Sequence, residues 1–128
     1  MMIKGKSPPD GLKPITRCLL IAGICLHLAT AVWFGQGSPL FRAGLAAWSC
    51  APYLLLMLGL RRHTRCPGTF LGALAILFLD AGAFWSVFIA PRHSTAALSL
   101  LAAPFWNLFV VAPLAIGADW LLARRGLS

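Results

Sequence analysis

Glutamate is absent from all 128 residues, and the acidic side chains are limited to Asp10, Asp80 and Asp119. That inventory excludes HExxH zinc sites, glutamate-based di-iron bundles and paired-glutamate glycosidase chemistry. Eleven Lys and Arg join the three Asp as the only charged residues, too few to solvate a globule of this length. With 59% hydrophobic residues and a mean hydropathy of +0.82, a soluble fold is ruled out.

The four cysteines, Cys18, Cys25, Cys50 and Cys66, form no CxxC pair, which excludes zinc-ribbon spacing and gives no support to a disulfide framework. Cys25 and Cys50 stand at similar depth on neighbouring apolar runs. Cys25 and His27, however, are two apart on a helix and point to different faces, which argues against a soft-metal site. One histidine within a span is too few for a haem held by two helical histidines, and Ser49 and Ser99 lie in no GxSxG elbow. No catalytic constellation, metal or other cofactor is therefore expected.

What the chain does have is long apolar runs. Four of them, 15–35, 41–60, 68–90 and 95–122, reach the ~20 residues that a helix needs to cross ~30 Å of hydrocarbon. A first run that continues through Val32, Trp33 and Phe34 is a full span rather than a cleaved signal. Backbone polar groups in lipid must be satisfied within each segment, and runs of this length are too long for barrel strands. The connections Gln36-Gly37-Ser38-Pro39, Arg61 to Pro67 and Pro91 to Ser94 are short. The expected fold is thus an all-α, up-down antiparallel four-helix transmembrane bundle over 15–123. A basic tail (1–14) precedes it and a short one (124–128) follows.

Lys4, Lys6, Lys13, Arg17, Arg61, Arg62, Arg65, Arg124 and Arg125 fall at one end of such a bundle, and only Arg42 and Arg92 at the other. The positive-inside rule then puts both termini in the cytoplasm, and the expected location is a bacterial inner membrane. The formal net charge of +8 is accounted for by retention signals and anionic headgroups, and no nucleic-acid-binding motif accompanies it.

A rise of 1.5 Å per residue collects the unusual side chains into one layer. His27, Tyr53, Asp80 and Asn107 each fall ~16–21 Å from a membrane face, one from each span. A charged Asp at mid-span costs about 2.5–3.5 kcal/mol on insertion scales, so Asp80 should face the bundle. Its expected partners are His27, Tyr53 and Asn107, because no Lys or Arg lies within the helix interiors. The layer reads either as structural glue or as a protonatable site.

Pro52, Pro104 and Pro113 each remove one helical hydrogen bond and are expected to kink their helices. Gly68 and Gly72 form a GxxxG seam, and Ala43, Ala47 and Ala51 a ladder of small residues; whether these close within the bundle or against a partner is open. Trp85 and Trp106 lie deeper than a headgroup belt and are expected to pack in the core. Asp119, one turn from the basic end, is expected to pair with Arg125 or with Arg61, Arg62 or Arg65.

Tiny loops, small-residue seams and the lack of catalytic groups point to a non-enzymatic accessory, assembly or regulatory subunit. Such a protein would act by packing against another membrane protein or a second copy of itself within the bilayer. The alternative is a small oligomeric channel or proton-linked transporter built on Asp80, His27 and Asn107.

Overall fold

The computed structural model describes residues 11–63, 66–90 and 96–126, with only the backbone for residues 96, 97 and 99. The tail up to residue 10, Arg65, Arg92 and His93 lie outside these described residues. Five α-helices are present: α1 (Leu12–Trp33), α2 (Pro39–Arg62), α3 (Pro67–Phe84), α4 (Ala96–Trp106) and α5 (Ala112–Arg124). A π-helical turn, Trp85–Ile89, prolongs α3, and another, Asn107–Val111, joins α4 to α5. Four stretches are long and apolar enough to cross a bilayer, Leu12–Trp33, Pro39–Arg62, Pro67–Ile89 and Leu100–Arg124, and no strand occurs among the described residues.

The helical stretches, π turns included, end within three residues of the ends of the apolar runs, and capping and proline chemistry set the starts of α2 and α3. Ser38 takes an extended backbone and its Oγ accepts from Phe41 N at 3.2 Å, so α2 begins at Pro39, where a missing N–H costs nothing. Pro67 opens α3 in the same way. At its far end α2 runs on through Arg61 and Arg62, cations that complement the helix C-terminus.

Contacts at the helix ends give the direction of each span. Arg42, near the start of α2, reaches Ala31 O and Val32 O at the end of α1, while Phe34, just past α1, packs on Phe84 and Phe88 at the end of the third span. Gly68, at the start of α3, touches Asp119 near the end of α5. Successive spans therefore run antiparallel, as up-down connectivity requires, while α1 and the third span, which also touch, run parallel. Around the bundle, α1 lies against α2 and α3, and α5 against α3 and α2; α1 and the fourth span make no contact among the described residues.

Leu20, Tyr53, Leu56, Leu60, Ala73, Ile76, Ala112 and Ala115 form the core, concentrated between mid-span and the basic end. Close approach of α3 and α5 there depends on glycine. A Cβ on Gly72 would stand 2.6 Å from Ala115 Cβ, and one on Gly68 2.6 Å from Ala115 O. The GxxxG seam is thus closed inside the bundle by α5. The alanine ladder behaves differently, since Ala43 and Ala47 are exposed and Ala51 half-buried.

The prolines occupy three settings. Helix α2 continues unbroken past a fully buried Pro52, and Pro104 is fully buried within α4. Pro113 is exposed in the first turn of α5, directly after the π turn. The core-packing expectation for the deep tryptophans is corrected: Trp85 is 59% and Trp106 57% exposed, because depth along a helix does not set the rotation of its faces. Trp120 carries Arg124 over its ring at 4.3 Å, a cation–π pairing suited to the interface.

Candidate functional site

Asp80 is the hub of a network to which all four spans contribute. Its Oδ2 accepts from Tyr53 OH of α2 at 2.5 Å and lies 2.9 Å from His27 Nε2 of α1; its Oδ1 accepts from Asn107 Nδ2 of the fourth span at 2.9 Å. Asp80 is 4% exposed, and Tyr53 and Asn107 are fully buried. The structure therefore brings His27, Tyr53, Asp80 and Asn107 into direct contact.

Tyr53 and Asn107 donate to Asp80, one to each oxygen, and His27 Nε2 donates as well when it carries the ring proton. The orientation of the Asn107 amide follows, since its oxygen would be repelled by the carboxylate. Asn107 Oδ1 consequently points elsewhere and has no partner, the single such buried side-chain atom among the described residues.

Local packing supports this layer. A Cβ on Gly23 would lie 2.0 Å from Tyr53 Cε1, so only glycine lets the phenol pass under α1 to reach Asp80. A π turn adjoins the network on each of the last two spans: one begins five residues after Asp80, on the side away from the basic end, and the other begins at Asn107 itself and leads towards the basic end. A π turn shifts the hydrogen-bond register by one residue, and such turns frequently accompany functional sites.

His27 has a second neighbour. A cavity of about 380 Å³ extends from it to the α1–α2 connection, enclosed by α1, α2, the first π turn and α4 where α1 and the fourth span stand apart. Its walls are mainly apolar, with Phe34, Phe41, Leu45, Val87, Phe88 and Leu101 among them. Phe34 and Phe88 of this wall form an aromatic cluster with Phe84, the ring centres 4.6–5.6 Å apart. The His27 side chain is 14% exposed, and its Nδ1 has no hydrogen-bond partner among the described residues. Ser49, 7% exposed, also lines the cavity with a hydroxyl that makes no hydrogen bond. Arg42 lines the far end, its Nε and Nη2 donating to the terminal carbonyls of α1 at 2.9 and 2.8 Å.

Asp119 has a role other than the expected ion pair with Arg125. It is fully buried, its Oδ1 accepts from Gly68 N at 2.7 Å, and its Oδ2 accepts from Thr69 N at 2.9 Å and from Thr69 Oγ1. The reason lies in α3: Pro67 starts the helix behind Cys66, which supplies no side-chain cap, so the first N–H groups need an acceptor from elsewhere. Arg125, by contrast, is exposed at the C-terminus of α5. Among the described residues, the one basic–acidic side-chain contact is His27–Asp80, which is an ion pair only when the imidazole is protonated.

Sequence reasoning missed Ser49, Gly23 and the capping role of Arg42. For Arg42 a signal existed, a cation a few residues beyond a helix end that lacks its own basic last turn. No group of three or more His, Cys, Asp or Glu that could hold a metal occurs among the described residues. No family model, curated protein or solved structure matches the chain.

Proposed function

We propose that this chain is a small proton-linked carrier of the inner membrane, with both termini in the cytoplasm and the cavity on the opposite, outward side. One observation carries the proposal: His27 lines the cavity while its Nε2 contacts the buried Asp80 carboxylate, and its Nδ1 has no hydrogen-bond partner among the described residues. A proton arriving from the cavity forms an N–H bond at Nδ1. The Nε2–H bond can then break as an O–H bond forms on Asp80 Oδ2, neutralising the carboxylate and returning a neutral imidazole. Tyr53 and Asn107 hold Asp80 in line for this transfer, and ionisable groups within membranes commonly serve such relays.

Between this layer and the basic end, Leu20, Leu56 and Ile76 are fully buried and form an apolar barrier. A cavity on one side of a protonatable site and a packed apolar layer on the other resemble one of the two states that a carrier needs. The test is flux into proteoliposomes under an imposed pH gradient. Proton-linked uptake is expected from the wild type and none from Asp80→Asn, a near-isosteric change, in protein that remains monodisperse; equal flux from the variant overturns the proposal.

A non-enzymatic accessory subunit retains one specific support, the exposed Ala43 and Ala47 on α2. It loses another, because the Gly68/Gly72 seam is occupied by α5. Gentle solubilisation decides between the two: a stoichiometric membrane partner that co-purifies, together with tolerance of Asp80→Asn in the cell, favours the accessory role.

A further inference from the structure

Building on the carrier proposal, we infer that the cavity takes a small amphipathic monocarboxylate. Its carboxylate would sit on the floor formed by Ser49 and His27, and its apolar body would lie against the aromatic and aliphatic walls.

The polar groups around the cavity select the charge of the ligand. Its ionisable lining residues are His27 and Arg42, with no acidic side chain among those described. Asp80 stands behind His27 with both oxygens engaged by His27, Tyr53 and Asn107, so it is not presented to the cavity. An organic cation would meet Arg42 at one end and an imidazole at the other, with no counter-charge. A carboxylate meets two donors without other partners, the Ser49 hydroxyl and the Nδ1 of a protonated His27, and charge-assisted hydrogen bonds of this kind are the strong ones. The volume of about 380 Å³ admits a phenyl- or alkyl-substituted acid.

The same geometry couples the ligand to the proton. Nδ1 donates to the carboxylate only when it bears a proton, while Nε2 keeps its hydrogen bond to Asp80. The ionisable groups facing His27 are Asp80 from α3 and Tyr53 from α2, with Cys50 close enough to Asp80 to feel its charge; the fourth span offers Asn107, which does not titrate. Anion and proton therefore enter together, one of each, and the loaded site carries no more charge than the empty one.

Binding can be measured without any transport. Calorimetry on the full chain in a neutral detergent compares 4-phenylbutyrate, 4-phenylbutanol and 4-phenylbutylamine, which share one apolar body. The acid is expected to bind about tenfold or more tightly than the other two, the scale of one hydrogen bond to a charged group. Each molecule bound should take up one proton from the buffer, read from the dependence of the heat on buffer ionisation. Ser49→Ala should weaken the acid by roughly tenfold and leave the alcohol within about threefold. Leu45→Trp, which fills the cavity and leaves its floor intact, should abolish binding of the acid and the alcohol. Preference for the amine, equal affinity for all three, or no binding overturns the ligand class. Selective acid binding without flux in liposomes leaves the ligand class standing and removes the carrier proposal.

Discussion

Gly23 is the position at which one methyl group should do the most damage to the site. The Tyr53 ring occupies the space that an alanine Cβ would need, and neither the helix backbone nor a phenol held by Asp80 has room to yield. Gly23→Ala should cost about 1–3 kcal/mol through overpacking and disturb the Asp80 network as well, seen as a lowered Tm in detergent together with lost flux. Tyr53→Phe keeps the ring and removes one donor. About 0.6–1.7 kcal/mol is expected for that change, with a packed structure retained. His27, Tyr53, Asp80 and Asn107 were legible together because rise per residue converts sequence position into depth, and an Asp in lipid has few ways to be satisfied. Ser49 was not legible, since a helical serine gives no sign of whether its hydroxyl turns back on the preceding turn or faces a cavity.

At the scale of the helices, the sequence showed where spans begin and end to within a few residues but not which side chain closes each terminus. Asp119 was given the wrong partner, because a nearby cluster of arginines is visible along the chain and the bare N–H groups of α3 are not. The two possibilities predict different mutants. Asp119→Ala leaves the amides of Gly68 and Thr69 without their acceptor and should cost about 2–4 kcal/mol, whereas Arg125→Ala should stay within about 0.5 kcal/mol. Chemical denaturation in mixed micelles reads both, and the reverse ranking would restore the ion pair. The deep tryptophans show the same limit from another side. Apolar residues surround these helices on all faces, so the hydrophobic pattern that assigns an inward face in a soluble helix carries little information here. The large exposed residues Phe78, Trp85, Trp106 and Phe109 are ordinary for a surface that meets lipid tails.

For the whole molecule, four helices long enough to cross a bilayer, and their up-down order, follow from run length and loop length alone. The cavity does not, because it arises where α1 and the fourth span fail to meet, and that depends on how all the helices pack. The direction of insertion rests on the distribution of Lys and Arg. Native Cys66 is unsuited to testing it, being 1% exposed. Gln36→Cys and Arg62→Cys, both at exposed positions, can be introduced with Cys18 and Cys25 replaced by alanine. An impermeant maleimide added to intact cells should label the first and reach the second only after the membrane is opened; the opposite order would reverse the topology.

The clasp of Asp119 on Gly68 and Thr69 also constrains how such a protein could release its cargo. With the third and fourth spans latched at the basic end, and glycine and alanine backbones pressed together just above, that pair can hardly part without stranding two amides and a carboxylate in a dry environment. An exit towards the cytoplasm would instead open along the α1 and α2 side, where Leu20 and Leu56 form an apolar seal and the contacts of His27 and Tyr53 with Asp80 are what must break. Two spans would act as a fixed post and the other two as the swinging door.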